Sequence, residues 1–424
     1  MKTSAGKRVL MLVENNSYPR DVRVRRESEG LVAADYRVTV ISPARRSQPF
    51  HERCNGVSVY RYPAPAEGQG QLGYVKEYGY AMVATFCLSL LVLLREGFDV
   101  IHAANPPDTF VVIAAFYKLL GKRFVFDHHD LVPETYYYAR FGGQANRCIY
   151  RILLLFEKLS CRLADHVIAT NHSYKAMDMR RGSVSEERIT VVRNGPELDR
   201  MWPVEPDQDL RQKAGTIIAY AGEMGVQDGG DHAVRALWHL VYDLGRTDVF
   251  CVMIGTGDAR ASWQALARQL DLDAYIWFTG WIPEADFIRY LSTADICVAP
   301  DPSNPFTDRS TMNKVMDYMA LARPIVAFDL REHRVTAQEA ALYVRPNDEL
   351  AFAHALAQLM DDPDRRQAMG AYGRRRVEEA LAWHHSLPHL LKAYSSLLSG
   401  PDGAQDCRRG ACESTEIWPK DDKH

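Results

Sequence analysis

Residues 299–329 read APDPSNPFTDRSTMNKVMDYMALARPIVAFD, and the order of elements they encode decides the fold. The apolar run 296–299 predicts a strand and the polar run 301–311 a loop. Asn313, Lys314 and Asp317 then fall in the first turns of a helix, and another strand follows at 324–328. A strand, a loop and a helix start in that order form an anion site, because the first amides of the helix are unpaired and carry its positive dipole end. A diphosphate fits such a site. Lys314 adds a full charge, and Asp317, one turn further along the same face, offers a carboxylate to ribose hydroxyls. The same residues also read as an ordinary helix start, capped by Thr311 or Ser310, with Lys314 and Asp317 as a solvated pair.

The strand-and-helix unit recurs along the chain. Strands at 8–13, 37–42, 57–62, 100–103, 124–127, 166–170 and 189–193 alternate with helices at 22–34, 78–95, 109–120 and 144–163. That rhythm demands a parallel sheet covered on both faces, with ligands bound beyond the carboxyl ends of the strands. Asn194-Gly195-Pro196, followed by Pro203 and Pro206 in a polar run, breaks the rhythm and predicts a linker. A second cycle follows, with strands at 216–221, 250–254, 276–279, 296–299, 324–328 and 341–344 and helices at 231–244, 259–270, 349–360 and 364–380. The expected architecture is α/β, two doubly wound domains in tandem over 1–195 and 196–382. Residues 383–398 read as an amphipathic helix returning to the first domain, and 399–424, poor in apolar residues, as a disordered tail.

At 424 residues, 47% apolar and 25% charged, the chain has the composition of a soluble globular protein of two domains. Its charge is unevenly shared, with 27 Lys and Arg against 19 Asp and Glu in residues 1–195 and 24 against 35 in the remainder. A basic N-terminal half suits an anionic membrane surface or a phosphate-bearing acceptor, or is simply a solvated face. The eight cysteines lack metal-ligand spacing and suit a reducing cytosol. The N-terminus lacks the apolar core of a signal peptide, and the longest apolar run, 81–94, is shorter than the roughly 20 residues a membrane span needs. It reads as a buried helix, with peripheral membrane contact open through a helix face near the basic half.

Loops at strand ends carry the candidate chemistry. After the first strand, ENNSYPRDVRVRR (14–26) offers Asn15, Asn16 and Asp21 to sugar hydroxyls and Arg20 and Arg23 to an acceptor phosphate, or else turn chemistry with a basic helix face. Strand 124–127 ends in Asp127-His128-His129-Asp130, two histidines and two carboxylates suited to acid–base work or to orienting a sugar. Adjacent histidines on an extended strand point to opposite faces, so a shared metal is not expected. In the second half, Gly222, Gly225 and Gly255 lie in turns that let backbone approach a phosphate, with Gln227 beside them, and Trp281-Ile282 follows a strand where an aromatic can lie against a base. Each turn alone is weak, but their joint occurrence at the strand ends of one domain is much stronger.

The order of these motifs resembles glycosyltransferase family 4, whose GT-B fold faces two Rossmann-like domains across a cleft. DVIHAANPPD (99–108), VVRNG (191–195), YAGEMG (220–225), FTGWIP (278–283) and DYMALARPIVA (317–327) carry the likeness, over about 8–398. It looks most like bacterial members that build exopolysaccharide or O-antigen repeat units. The resemblance implies retaining transfer from a nucleotide sugar held by the second domain to an acceptor held by the first, a glycan or a polyprenyl-diphosphate-linked one. No cofactor, metal or nucleic acid is implied, and the location implied is cytoplasmic, with or without contact to the inner face of the plasma membrane. His129, with His128 second, matches the family's active-site histidine, and Asp317 falls on the second glutamate of its two-glutamate motif. The first glutamate is replaced by Arg309, and Ser310, Thr311 and Met312 stand where glycines are usual, followed by Asn313 and Lys314. The diphosphate would then fall to Lys314, helped by Arg309. Two other readings share this architecture, a sugar-nucleotide 2-epimerase and a catalytically degenerate partner subunit.

Overall fold

The computed structural model describes residues 7–45, 47–64 and 70–398, with side chains from Tyr78 onward in the helix that begins at Gly70. The tail expected to be disordered lies outside the described residues.

Two sheets organise the chain. The first holds β1 (Arg8–Leu12), β2 (Arg37–Ala44), β3 (His51–Cys54), β4 (Val57–Pro63), β5 (Val100–Ala104), β6 (Arg123–His128), β7 (His166–Ala169) and β8 (Ile189–Val191), in the order β3-β4-β2-β1-β5-β6-β7-β8. Every neighbour pair is parallel except β3 with β4, an antiparallel edge hairpin whose first strand is missing from the expected ones. Its turn, Asn55-Gly56, has both residues at positive φ, the signature of a tight hairpin. The second sheet holds β9 (Thr216–Ala221), β10 (Val249–Ile254), β11 (Ile276–Gly280), β12 (Ile296–Ala299), β13 (Ile325–Phe328) and β14 (Ala341–Val344), all parallel, in the order β11-β10-β9-β12-β13-β14.

In each sheet the chain winds outward one way and then returns to wind the other way, so the order reverses beside β1 in the first and β9 in the second. At such a reversal the loops leave in opposite directions and open a crevice at the carboxyl ends. The crevices are bordered by the loops after β1, β5, β9 and β12, four of the segments singled out above.

Alternate residues of the central strands supply the two cores of each sheet. Leu10 and Leu12 join one cluster under α2 (Gly70–Arg95), α3 (Phe110–Leu119) and the helix Arg147–Leu163. Val9 and Met11 join another under α1 (Val22–Ala33) and the helix Trp383–Leu398, which crosses back to the first sheet through Trp383, Leu390 and Tyr394. The outgoing and returning segments cross at Gly195, where an added Cβ would lie 1.7 Å from the Leu381 carbonyl oxygen, so no side chain fits there. Trp383 N–H donates to the Pro196 carbonyl beside it, 3.0 Å.

Candidate active site

Backbone meets backbone at the ends of β9 and β10. Gly222 and Gly255 both have φ in the region that favours glycine, +148° and +135°, and a Cβ on Gly255 would lie 1.9 Å from the Gly222 oxygen. Gly225 is less open, since its amide donates to Asp228 at 3.0 Å and the Gln227 carboxamide covers it. At the end of β11, Ile282 packs into the core while Trp281 stands 68% exposed, its ring 5.8 Å from the guanidinium of Arg20 in the first domain.

Lys314 is not the free cation expected for a diphosphate. Its Nζ is buried 2.6 Å from Asp301 and 3.7 Å from Asp228, over the ring of Tyr220 at 4.9 Å. Burial works against its charge, but the two carboxylates raise its pKa, while Lys314 and His333 hold Asp301 below the usual range against the same burial. Asp301 sits in the preceding strand-end loop and Asp228 in a third loop, so the pairing follows from the convergence of strand ends and not from local spacing.

The expected cap is also absent. The helix Asn313–Ala320 starts from Met312 without a side-chain cap, because both hydroxyls before it serve the contact between domains. Ser310 Oγ lies 2.9 Å from the Tyr174 hydroxyl, and Thr311 Oγ accepts from Asn171 at 3.0 Å and donates to Glu332 at 3.2 Å. Ser173 Oγ donates to the same Glu332 at 2.5 Å. Asn313 is exposed at the helix start. Asp317 is half-buried and has no hydrogen-bond donor among the described residues. Burial pushes its pKa up to about 6, with Arg26 of α1 opposing the shift and Glu284 adding to it.

In the first domain, Asn15, Asn16 and Arg20 are exposed in the loop after β1, but Asp21 and Arg23 are not available to an acceptor. Asp21 caps α1, accepting from the Val24 amide at 2.9 Å. Arg23 is a buried strut: it donates to both oxygens of Asp127 (2.7 and 2.5 Å), to the Val192 carbonyl and to Asn194, and lies 3.1 Å from Glu27. Local sequence gave no sign of this, because Asp127 is 104 residues away.

The two histidines at the end of β6 diverge, as an extended strand requires. His128 points into the core, with Nδ1 2.6 Å from Asp178 and Nε2 3.9 Å from Glu157. Burial disfavours its charge, yet those acids carry its pKa to about 10, so it is a structural cation and not a residue of the cleft. His129 keeps slight exposure; its Nδ1 lies 3.1 Å from Asp127, and Nε2 makes no hydrogen bond among the described residues. Asn105 fixes this turn, its Oδ1 accepting from the amides of His129 and Asp130 at 2.8 and 3.0 Å. Behind it, a buried network runs from Asp127 to His102 (3.7 Å), from His102 to Glu27 (3.4 Å) and from His102 Nδ1 to the Tyr394 hydroxyl (2.8 Å).

A cleft of about 440 Å³ lies between the domains, lined by Tyr138, Tyr150, Arg180 and Arg181 on one side and Pro305 and Arg309 on the other. Arg181 is neutralised by Glu134 and Glu157, both at 2.6 Å. The tyrosine lining escaped the sequence reading; the run Tyr136-Tyr137-Tyr138 was its one visible sign.

Known families match both halves. The Glycosyl transferase 4-like domain matches residues 21–195 and Glycosyl transferases group 1 matches 215–362. Alpha-maltose-1-phosphate synthase of Mycolicibacterium smegmatis is 26% identical over 65% of this chain and 73% of its own length. Among solved structures, sucrose-phosphate synthase from Thermosynechococcus elongatus superposes with TM-score 0.76 at 20% identity, over 92% of this chain and 99% of that one. Anabaena HepE in complex with UDP-glucose gives 0.69 at 13%, over 92% and 99%. The chain belongs to the family 4 glycosyltransferases and has their GT-B fold.

Proposed function

We propose that this protein transfers a sugar from a nucleoside-diphosphate donor to a hydroxyl of a glycan or lipid-linked acceptor, with retention at the anomeric carbon and without a metal, in cell-surface polysaccharide synthesis on the cytoplasmic side. What carries the reading is α1. One turn apart on α1, Arg23 holds Asp127 against His129, and Arg26 opposes the upward pKa shift of Asp317 in the second domain. A free imidazole nitrogen and an unbonded carboxylate thus flank one helix start, with the turns at Gly222 and Gly255 on the donor side.

In this reading Asp317 accepts from the ribose hydroxyls and Trp281 lies against the base. The diphosphate rests on the amides of the glycine turns and the start of the helix Asn313–Ala320, with Arg309 as the nearby cation. His129, held by Asp127 and Asn105, bonds a donor hydroxyl through Nε2 and fixes the sugar beside the acceptor. The acceptor oxygen bonds to the anomeric carbon, the bond to the diphosphate breaks, and the acceptor proton leaves with the departing phosphate. UDP-glucose in the HepE complex supports a UDP-sugar as the first donor to try.

The test is a thermal-shift and hydrolysis scan over UDP-, GDP- and TDP-sugars, with and without EDTA. One donor class should raise Tm and be turned over with EDTA present, and the product's anomeric configuration by NMR should match the donor's. No shift with any donor would remove the reading, and loss of turnover in EDTA would remove its metal-free part.

A further inference from the structure

Helices α2, α3 and Arg147–Leu163 form one layer over the first sheet, and their outward faces are apolar where a soluble layer is normally polar. On α2, Val83 is 64% and Leu94 85% exposed; on α3, Val112 is 58% and Leu119 87%; on the third helix, Ile152 is 51% and Leu155 53%. The spacing is helical in each case. Val83, Cys87, Leu90 and Leu94 share a stripe on α2, Val112, Phe116 and Leu119 on α3, and Ile152, Leu155 and Leu159 on Arg147–Leu163. Rings of Phe86 and Phe116, 5.2 Å apart, join α2 to α3, and α3 packs against the third helix.

Such a face needs a cover, and its charge says which. The window Tyr78–Arg95 has mean hydropathy 1.6 with only 28% of it buried, so the helix read as buried from sequence packs one face on the core and leaves another outside it. Among the described residues, none of the outward positions on the three helices is acidic. The helix Arg147–Leu163 carries Arg147, Arg151, Lys158 and Arg162 beside its apolar stripe, and none of the four has a carboxylate within ion-pair distance among the described residues. An apolar face with unpaired cations at its edge complements the boundary between acyl chains and anionic headgroups. A protein partner matched to this face would need a large apolar surface with its own acids.

We infer that this layer seats the protein on an anionic bilayer, with Leu94, Leu119, Ile152 and Leu155 entering the acyl boundary and Arg151 and Arg162 among the headgroups. The third helix also carries Tyr150, which lines the cleft from its inner side, so the seated face lies next to the acceptor side of the site. The inference does not depend on the donor assignment.

The experiment is co-sedimentation of the full chain with vesicles of phosphatidylcholine alone or of phosphatidylcholine and phosphatidylglycerol in equal parts. The wild type should partition at least tenfold more strongly onto the anionic vesicles, less so as salt rises. Leu119→Glu with Ile152→Glu should abolish binding to both, whereas Arg151→Gln with Arg162→Gln should remove only the preference for phosphatidylglycerol. All four positions are exposed, and circular dichroism checks that the variants fold. Wild type that binds neither vesicle, or glutamate variants that bind as wild type, overturns the inference. So does a wild-type dimer by light scattering that Leu119→Glu converts to monomer, since the face would then be covered by a second copy. A UDP-sugar thermal shift on the same samples reports the donor site separately.

Discussion

The hydroxyl of Tyr394 lies 2.8 Å from Nδ1 of His102, which ties the helix Trp383–Leu398 to the strand next to β1 and, through His102, to the buried carboxylates of Glu27 and Asp127. Asp127 in turn orients His129. Tyr394→Phe leaves the ring packing and removes only this bond, so it should cost about 1 kcal/mol in urea unfolding. It should also lower kcat with little change in donor KM, because the donor contacts stay while the support of Asp127 loosens. An unchanged kcat would show that the network is purely structural.

The neighbours His128 and His129 should behave as opposites. His128 has a folded pKa of about 10, above its ordinary value, so its stabilising charge is fully present at pH 6 and lost as pH rises through about 10. His128→Gln leaves Asp178 buried without its cation and should cost about 3–5 kcal/mol near neutral pH, read by denaturant titration. His129→Ala should fold but lose about a hundredfold or more in turnover, read by donor consumption.

Asp317 sets a pH limit on donor binding. With its pKa pushed up to about 6, it becomes protonated and a poorer acceptor as pH falls through that value. Donor affinity should therefore weaken below about pH 6 in wild type and be flat, and lower, in Asp317→Asn. For stability the sign reverses: the folded state takes up the proton more readily, so this group stabilises folding at low pH, and that contribution is lost as pH rises through about 6. Asp317→Asn should thus raise Tm at pH 7.5 by roughly 2–4 °C, measured by scanning calorimetry.

Lys314→Ala should be a folding lesion. It strands Asp301, fully buried, with Asp228 nearby, and should cost about 3–5 kcal/mol. Adding Asp301→Asn should recover part of that loss, as thermal unfolding would show. A Lys314→Ala protein of wild-type Tm with donor affinity lost would restore the direct phosphate role.

What was legible in the sequence was whatever local chemistry dictates. The βαβ rhythm, the break at Asn194-Gly195-Pro196 and the returning helix follow from periodicity and from proline and glycine, and the opposed directions of His128 and His129 follow from the strand pleat. What was not legible depended on which strand ends converge. Lys314 looked free because Asp228 belongs to another loop and Asp301 stands at the far end of the loop before it, and Arg23 looked like an acceptor ligand because Asp127 is remote in sequence. Ser310 and Thr311 have cap chemistry, but the domain contact claims both hydroxyls. The apolar window 81–94 suggested burial, and only the layer order reveals its outward stripe.

The return of Trp383–Leu398 to the first sheet has a consequence for synthesis. Val9 and Met11 are translated before the second domain, yet Leu390 and Tyr394, which close their side of the sheet, are made after the whole of it. The half that leaves the ribosome first is therefore the half completed last, and its open flank stays exposed to water, and to anything that binds apolar strands, while the other domain is being made.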